Sequence, residues 1–205
     1  MEKANKKVRI PRQKRGIETK GRIIQAARKL FSRKGFHGTN SKEIAAAAGV
    51  SIGSFYSYFQ DKKALFLEVL EDHNEGLIRK IFGWEQNGFM QPGHEKEFLD
   101  GLIRTGLAAH DLSPQFHREA LGMKYSDPDV EAIHRRMEGL VLDRLVSLFK
   151  SMGDKTRIKD VEAAAAVVYC AFEEVVHSMT IFKSKVTEER LINELSDMIS
   201  RYLFK

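Results

Sequence analysis

Residues 40–60 admit very few folds. Asn40 is followed three positions later by Glu43. In that arrangement the Asn side chain accepts from an orphan amide at a helix start, and the Glu reaches back to the amide of the capping residue. The helix so opened is short, with Ile44 as its apolar position and small residues at Ala45 to Ala48. It stops at Gly49, where a positive φ is cheap only for glycine. Ser51 opens a second helix containing Phe55, Tyr56, Tyr58 and Phe59, and Asp61 caps a longer one with Ala64, Leu65, Val69 and Leu70 on one side. Ala45 lets two helices cross closely, while Val50 and Phe55 plug the back of the second. A short capped helix, a glycine turn and a second capped helix make a helix-turn-helix.

Elsewhere the apolar spacing is helical too. A helix beginning near residues 17–19 carries Ile23, Ile24, Ala27, Leu30 and Phe31 and ends at Gly35, placed to supply a left-handed cap. Gly83, Gly88, Pro92 and Gly93 break the chain around Trp84 and Phe89. Ser113-Pro114 and Asp127-Pro128 each set a capping side chain before a proline at the first helical position. Helices are expected near 95–110, 114–123, 128–151, 160–183 and 187–203, and no stretch alternates as a strand does. The expected fold is all-α, an N-terminal three-helix bundle with a helix-turn-helix followed by a larger helical domain. Residues 1–16 read as a basic arm, 17–76 as the first domain and 77–205 as the second.

Charge divides along the same line. Residues 1–60 hold 14 Lys/Arg against Glu2, Glu18 and Glu43, a net +11, and the rest hold 20 Lys/Arg against 25 Asp/Glu, a net −5. One end therefore suits a polyanion and the other does not. The single Cys170 excludes an internal disulfide framework and reads as a small buried hydrophobe in an Ala/Val-rich helix. No apolar stretch follows the basic start, and the longest apolar run, residues 163–172, is half the length of a bilayer span of about 20 residues. A cytoplasmic location is the simplest expectation. His110, His117, His134 and His177 are too dispersed for a metal site, no Ser-His-Asp grouping or Gly-rich phosphate loop is legible, and neither cofactor nor catalysis is expected.

The run Glu43-Ile44-Ala45, Ala48-Gly49-Val50-Ser51, Gly53, Phe55-Tyr56, Tyr58-Phe59 and Lys62 to Leu65 resembles the signature of the tetracycline-repressor (TetR) family. Ala26-Ala27, Leu30-Phe31 and Gly35 match the part before it, so the resemblance covers roughly residues 17–70. Asn40 stands where the family usually has Thr, and both residues cap helices. The resemblance implies a homodimeric repressor on a palindromic operator, released by a small molecule bound in the C-terminal domain. The alternative is a dimeric DNA-binding regulator without such an effector, controlled by a protein partner.

On this reading Thr39, Asn40 and Lys42 open the helix that crosses the DNA backbone, while Tyr56 and Lys62 meet phosphates. Ser41, Ser51, Ile52, Gly53, Ser54 and Ser57 face the groove or its edge, and Tyr58 is divided between packing and a phosphate. No Arg, Asn or Gln sits early in the second helix, so part of the specificity is expected from DNA shape. The basic arm either follows the minor groove or remains solvated. Phe116, Met123, Met137, Tyr169 and Phe172 are candidate effector contacts, although such stripes are more often core. The last two helices, with Leu191, Leu195, Met198, Ile199 and Tyr202 and with Val168, Phe172, Val175, Val176 and Met179, are the dimer interface that the resemblance implies, although a single core could use the same residues.

Overall fold

In the computed structural model, residues 13–83, 94–109, 114–182 and 184–204 are described. They contain nine α-helices and no strand. The helices are α1 (Lys14–Lys34), α2 (Ser41–Ala47), α3 (Ile52–Tyr58), α4 (Lys62–Phe82), α5 (Glu95–Ala109), α6 (Pro114–Lys124), α7 (Pro128–Met152), α8 (Val161–Thr180) and α9 (Glu188–Leu203). The expected arm up to residue 12, the connection at 84–93, His110 and the Ser113 cap lie outside the described residues.

The helix starts follow the capping chemistry. Asn40 Oδ1 accepts from Glu43 N at 3.0 Å, Ser51 Oγ from Ser54 N at 3.1 Å, Asp61 Oδ1 from Ala64 N at 2.8 Å and Asp160 Oδ1 from Ala163 N at 3.0 Å. Asp127 Oδ1 takes the amides of Asp129 and Val130 behind Pro128. Each satisfies an amide that the helix itself leaves without a partner. α1 begins at Lys14, ahead of the expected start, with the Thr19 hydroxyl donating back to Arg15 O at 2.8 Å. Lys14 and Arg15 are good helix formers, so charge alone did not mark a boundary.

The chain forms two compact units, one of Met1–His73 and Leu112–Ile133, the other of Asn74–Asp111 and His134–Lys205. Among the described residues, 114–133 group with the N-terminal unit. In the first unit α1, α2, α3, the start of α4 and α6 share one core. Its centre is aromatic. Phe31 and Phe66 meet edge to face at 5.4 Å, Phe66 lies 5.2 Å from Phe116, and Phe36 lies 4.9 Å from Phe66.

That arrangement places two of the candidate effector contacts. Phe116 is 1% exposed within the aromatic core, and Met123 packs against the same core. Both belong to the core of the first unit. The linear sequence hid this because the partner rings stand at Phe31 and Phe66, far from Phe116 in the chain.

The second unit packs α5, α7, α8 and α9 around Leu99, Ile103, Phe149, Ala164, Ala165 and Leu195. Phe172 lies so close to Gly106 that a Cβ there would meet the ring at 2.4 Å, so α5 and α8 touch through a residue without a side chain. Cys170 is exposed, against the expectation of a buried thiol, because it falls on the outward side of α8 between buried Val168 and half-buried Ala171.

Phe66→Ala removes the ring shared by three neighbours. It should lower unfolding stability in urea by about 3–5 kcal/mol, the range for losing a buried aromatic. A loss under about 1 kcal/mol would show that the aromatic centre is not the core of this unit.

Candidate nucleic-acid interface

The turn between α2 and α3 is set by Gly49, whose φ is 65°, a conformation that costs other residues about 1–2 kcal/mol. The amides of Gly49 and Val50 bond back to the carbonyls of Ala46 and Ala45 at 3.1 and 3.0 Å and close the corner. Beyond it, α3 divides its residues by depth. Phe55, Tyr58 and Phe59 are buried, while Ile52 and Tyr56 are 37% and 44% exposed. Ser51, Gly53 and Ser57 are also exposed and Ser54 is half-buried. The helix is thus anchored by rings on one side and offers small, polar and tyrosyl groups on the other. Tyr58, open to either role in the sequence, sits with the core.

Ser51 and Ser57 carry local duties in addition. The Ser51 hydroxyl caps α3, and the Ser57 hydroxyl donates to Gly53 O at 3.0 Å. Tyr56 stands edge-on against Phe55 at 5.2 Å and remains exposed.

At the start of α2, Asn40 and Lys42 are exposed and Ser41 is half-buried. The Asn40 backbone is among the hydrogen-bond partners of the Glu43 carboxyl, as reciprocal capping expects, and that carboxyl is shared with α1. Its Oε1 accepts from Lys34 Nζ at 2.6 Å, and this hydrogen bond, foremost among several causes, holds the carboxyl below its ordinary pKa. Thr39 is 2% exposed, with its hydroxyl donating to Gly35 O at 2.7 Å. In this state the threonine closes the loop rather than facing outward.

Lys62 differs from its sequence reading in the same way. Its ammonium donates to Phe36 O at 2.6 Å and Thr39 O at 2.7 Å, and lies 4.1 Å from the centroid of the Phe36 ring. Burial pushes its pKa down, and the Glu119 carboxylate partly opposes that. Glu119, on α6, accepts from the amide of Phe36 and, at 3.3 Å, from that of His37. Gly35, with φ 73° and ψ 177° in a region essentially restricted to glycine, makes the space. A Cβ at that position would strike the Glu119 carboxylate. Lys62 and Glu119 therefore hold the loop 35–39 from opposite charges, and that loop places Asn40. Sequence reasoning missed Glu119 because no local spacing connects it to a loop 83 residues earlier.

Residues 23–69 match the profile of the bacterial regulatory proteins of the tetR family, and residues 96–203 match the tetracyclin repressor-like C-terminal domain. The chain belongs to the TetR family. This TetR-family protein is 40% identical over 67 residues to the HTH-type transcriptional regulator YdgC of Bacillus subtilis, covering 33% of this chain and 34% of the relative. It is 32% identical over 88 residues to the HTH-type transcriptional regulator UidR of Escherichia coli, covering 42% of this chain and 40% of that protein. The matches thus span well under half the length of these relatives. Among solved structures, a regulator of Saccharomonospora viridis in complex with choline has a TM-score of 0.76 at 17% identity, covering 92% of this chain and 99% of its own. A TetR-family regulator of Mesorhizobium loti has a TM-score of 0.69 at 20% identity, with coverage of 93% and 97%. At such identities these two speak for the fold.

The family is that of bacterial regulatory proteins, and the matched relatives are HTH-type transcriptional regulators. No helix among the described residues is long and apolar enough to cross a membrane. No group of three or more His, Cys, Asp or Glu among them is placed to hold a metal.

The first turn of α4 is tied on its other side by Lys63, whose ammonium pairs with Asp127 and Asp129 at 2.7 Å each. The hydrogen bond donated by Lys63 is the main reason that Asp127 is held below its ordinary value of 3.8, and the hydrogen bonds that Lys63 donates to Asp127 and Asp129 raise it above 10.5. A lowered carboxyl stabilises above its unfolded value and loses that contribution as pH falls through the folded one. A raised lysine does so until pH climbs through its own. Lys63→Met should therefore melt below wild type by a constant margin from about pH 5 to pH 9. The margin should shrink under pH 3.8. An unchanged margin at low pH would contradict the pairing.

Proposed function

We propose that this protein is a ligand-responsive repressor that binds a palindromic operator as a homodimer and releases it when a small molecule enters the second unit. The observation that carries the reading is the division of α3, with Phe55 and Tyr58 sunk in the core and Ile52 and Tyr56 left outside, in the part of the chain with net charge +11. In a helix-turn-helix the N-terminal part of the second helix meets base edges in the major groove, and two copies occupy grooves about 34 Å apart. Asn40, Lys42 and Tyr56 would take phosphates. Ile52 would meet a thymine methyl, with Gly53 allowing close approach and Ser41, Ser51, Ser54 and Ser57 at the groove edge. Lys62 and Thr39 would serve by shaping the loop that carries Asn40.

Dimerisation through α8 and α9 is supported by the apolar residues these helices leave exposed. Val167, Met198 and Tyr202 are 57%, 51% and 46% exposed, whereas Leu195, Ile199, Val168 and Val176 are already buried within one chain. One recognition helix reads too few bases alone, so a two-fold pair suits a palindrome. For the effector, Tyr169 and Phe172 pack half-buried against the second core, and Met137 lies on α7 in the same unit. Burial, and then the charges of Glu173 and Glu138, raise the Tyr169 hydroxyl well above the usual tyrosine range. An aromatic group beside carboxylates suits an organic cation, and the fold relative from Saccharomonospora viridis was solved with choline. Choline is therefore the first compound to test.

Fluorescence anisotropy against an operator selected from random DNA should show affinity falling steeply with salt. Tyr56→Phe should weaken binding roughly thirtyfold, as expected for two lost hydrogen bonds, one in each protomer, of about 1 kcal/mol each. Binding that is flat in salt would contradict the reading. A ligand-induced melting shift, joined to loss of operator binding, supports effector release. Unchanged melting and binding across the compounds tested, with release only on adding a protein, would assign control to a partner instead.

A further inference from the structure

α1 carries cations on more than one face, and they are treated differently. Lys20 pairs with Glu68 at 2.7 Å, Arg28 with Asp72, and Lys34 with Glu43 at 2.6 Å. Arg15, Arg22, Lys29 and Arg33 make no ion pair among the described residues, are exposed, and line one groove of about 1050 Å³. Their spacing of seven, seven and four residues keeps all four on one face of the helix. Ala47 and Ala48 at the end of α2 form part of the opposite wall, and Glu18 is the one carboxylate in the lining.

Two geometric facts say what this groove faces. It begins at the recognition unit, because the Arg22 guanidinium lies 3.6 Å from the point that a Cβ on Gly49 would occupy, at the turn into α3. It is also long. At about 1.5 Å per residue, Arg15 to Arg33 spans about 27 Å, comparable with about eight base pairs of duplex. Four like charges held along a face with one opposing carboxylate repel one another, and a polyanion relieves that repulsion while releasing its own counterions. In sequence the row continues into Lys14 and Arg12.

We propose that the α1 groove is a second phosphate track, which takes the backbone of duplex flanking the operator, outside the base pairs read by α3. The proposal rests on the DNA-binding reading above and adds a surface to it. The paired cations, Lys20, Arg28 and Lys34, take no part. An acidic helix of a partner protein is the competing occupant, and only the duplex makes the groove visible in the salt dependence of DNA binding.

The test compares a duplex trimmed to the selected palindrome with the same duplex extended by about ten base pairs, roughly one helical turn, on each side. Wild type, the double variant Arg22→Gln/Lys29→Gln and the control Lys20→Gln are titrated at several salt concentrations. Arg22 and Lys29 are exposed and Lys20 is half-buried in its pair with Glu68, and circular dichroism verifies that the variants fold. The wild-type slope of log affinity against log salt should be steeper on the extended duplex. There the double variant should lose about 0.9 of slope for each neutralised side chain in contact, and nothing on the trimmed duplex. The Lys20→Gln control should match wild type on both. An unchanged slope on the extended duplex overturns the proposal and leaves the groove to solvent or to an acidic protein. Equal losses on both duplexes overturn it too, by placing these cations on the operator itself. Wild type that binds neither duplex in a salt-dependent way contradicts the DNA-binding reading instead.

Discussion

Residues 35–39 have neither helix nor strand to satisfy their backbone, and the position of α2 depends on how that need is met. Lys62 supplies donors to the carbonyls of Phe36 and Thr39, Glu119 supplies an acceptor to the amides of Phe36 and His37, and the Thr39 hydroxyl closes onto Gly35 O. Charged partners make such bonds stronger than neutral ones, and leaving a group without its partner in this half-buried place costs about 1–3 kcal/mol. The Phe36 ring lies under the lysine and against Phe66, so the polar clasp and the aromatic core are one structure. Asn40 begins α2 directly after this loop. An error here would be inherited by every group expected to meet DNA.

Local chemistry explains why α3 can be both rigid and accessible. Seven residues are too few for a stable helix in water, where lone helices shorter than about 12–15 residues are marginal. Phe55 and Tyr58 anchor it from behind, Ser51 caps its start, and the Gly49 corner ties it to α2. The outward residues are then free of packing duties. Those residues include no bidentate hydrogen-bonding side chain at the helix start, so on the proposed reading specificity would come from contact with methyl groups, close approach and duplex shape.

Helix boundaries were legible because the capping residues do their work locally. Asn40, Ser51, Asp61, Asp127 and Asp160 each bind amides two or three positions ahead, and spacing alone reveals such bonds. The family resemblance rested on the same local pattern, and the matched profiles extend it through residues 96–203. Groups whose partners are remote were not legible. Nothing near Phe116 says that its ring meets Phe31 and Phe66, nothing near Glu119 says that it holds Phe36, and Lys62 reads as a surface cation until its two carbonyls are located. Cys170 shows the same limit in reverse, since an apolar neighbourhood in sequence did not tell which side of α8 faces inward.

Hydrogen exchange with and without operator duplex tests the central claim most directly. In the free protein the amides of Ser41 and Lys42, in the first turn of α2, have no partner within the helix and should exchange fast. The exposed start of α3 should exchange faster than the buried core of α1. The account requires that DNA slow exchange across residues 40–43 and 51–57 more than anywhere in the second unit. Exchange at these residues left unchanged by a bound duplex, with protection gathered in α8 and α9 instead, would contradict it.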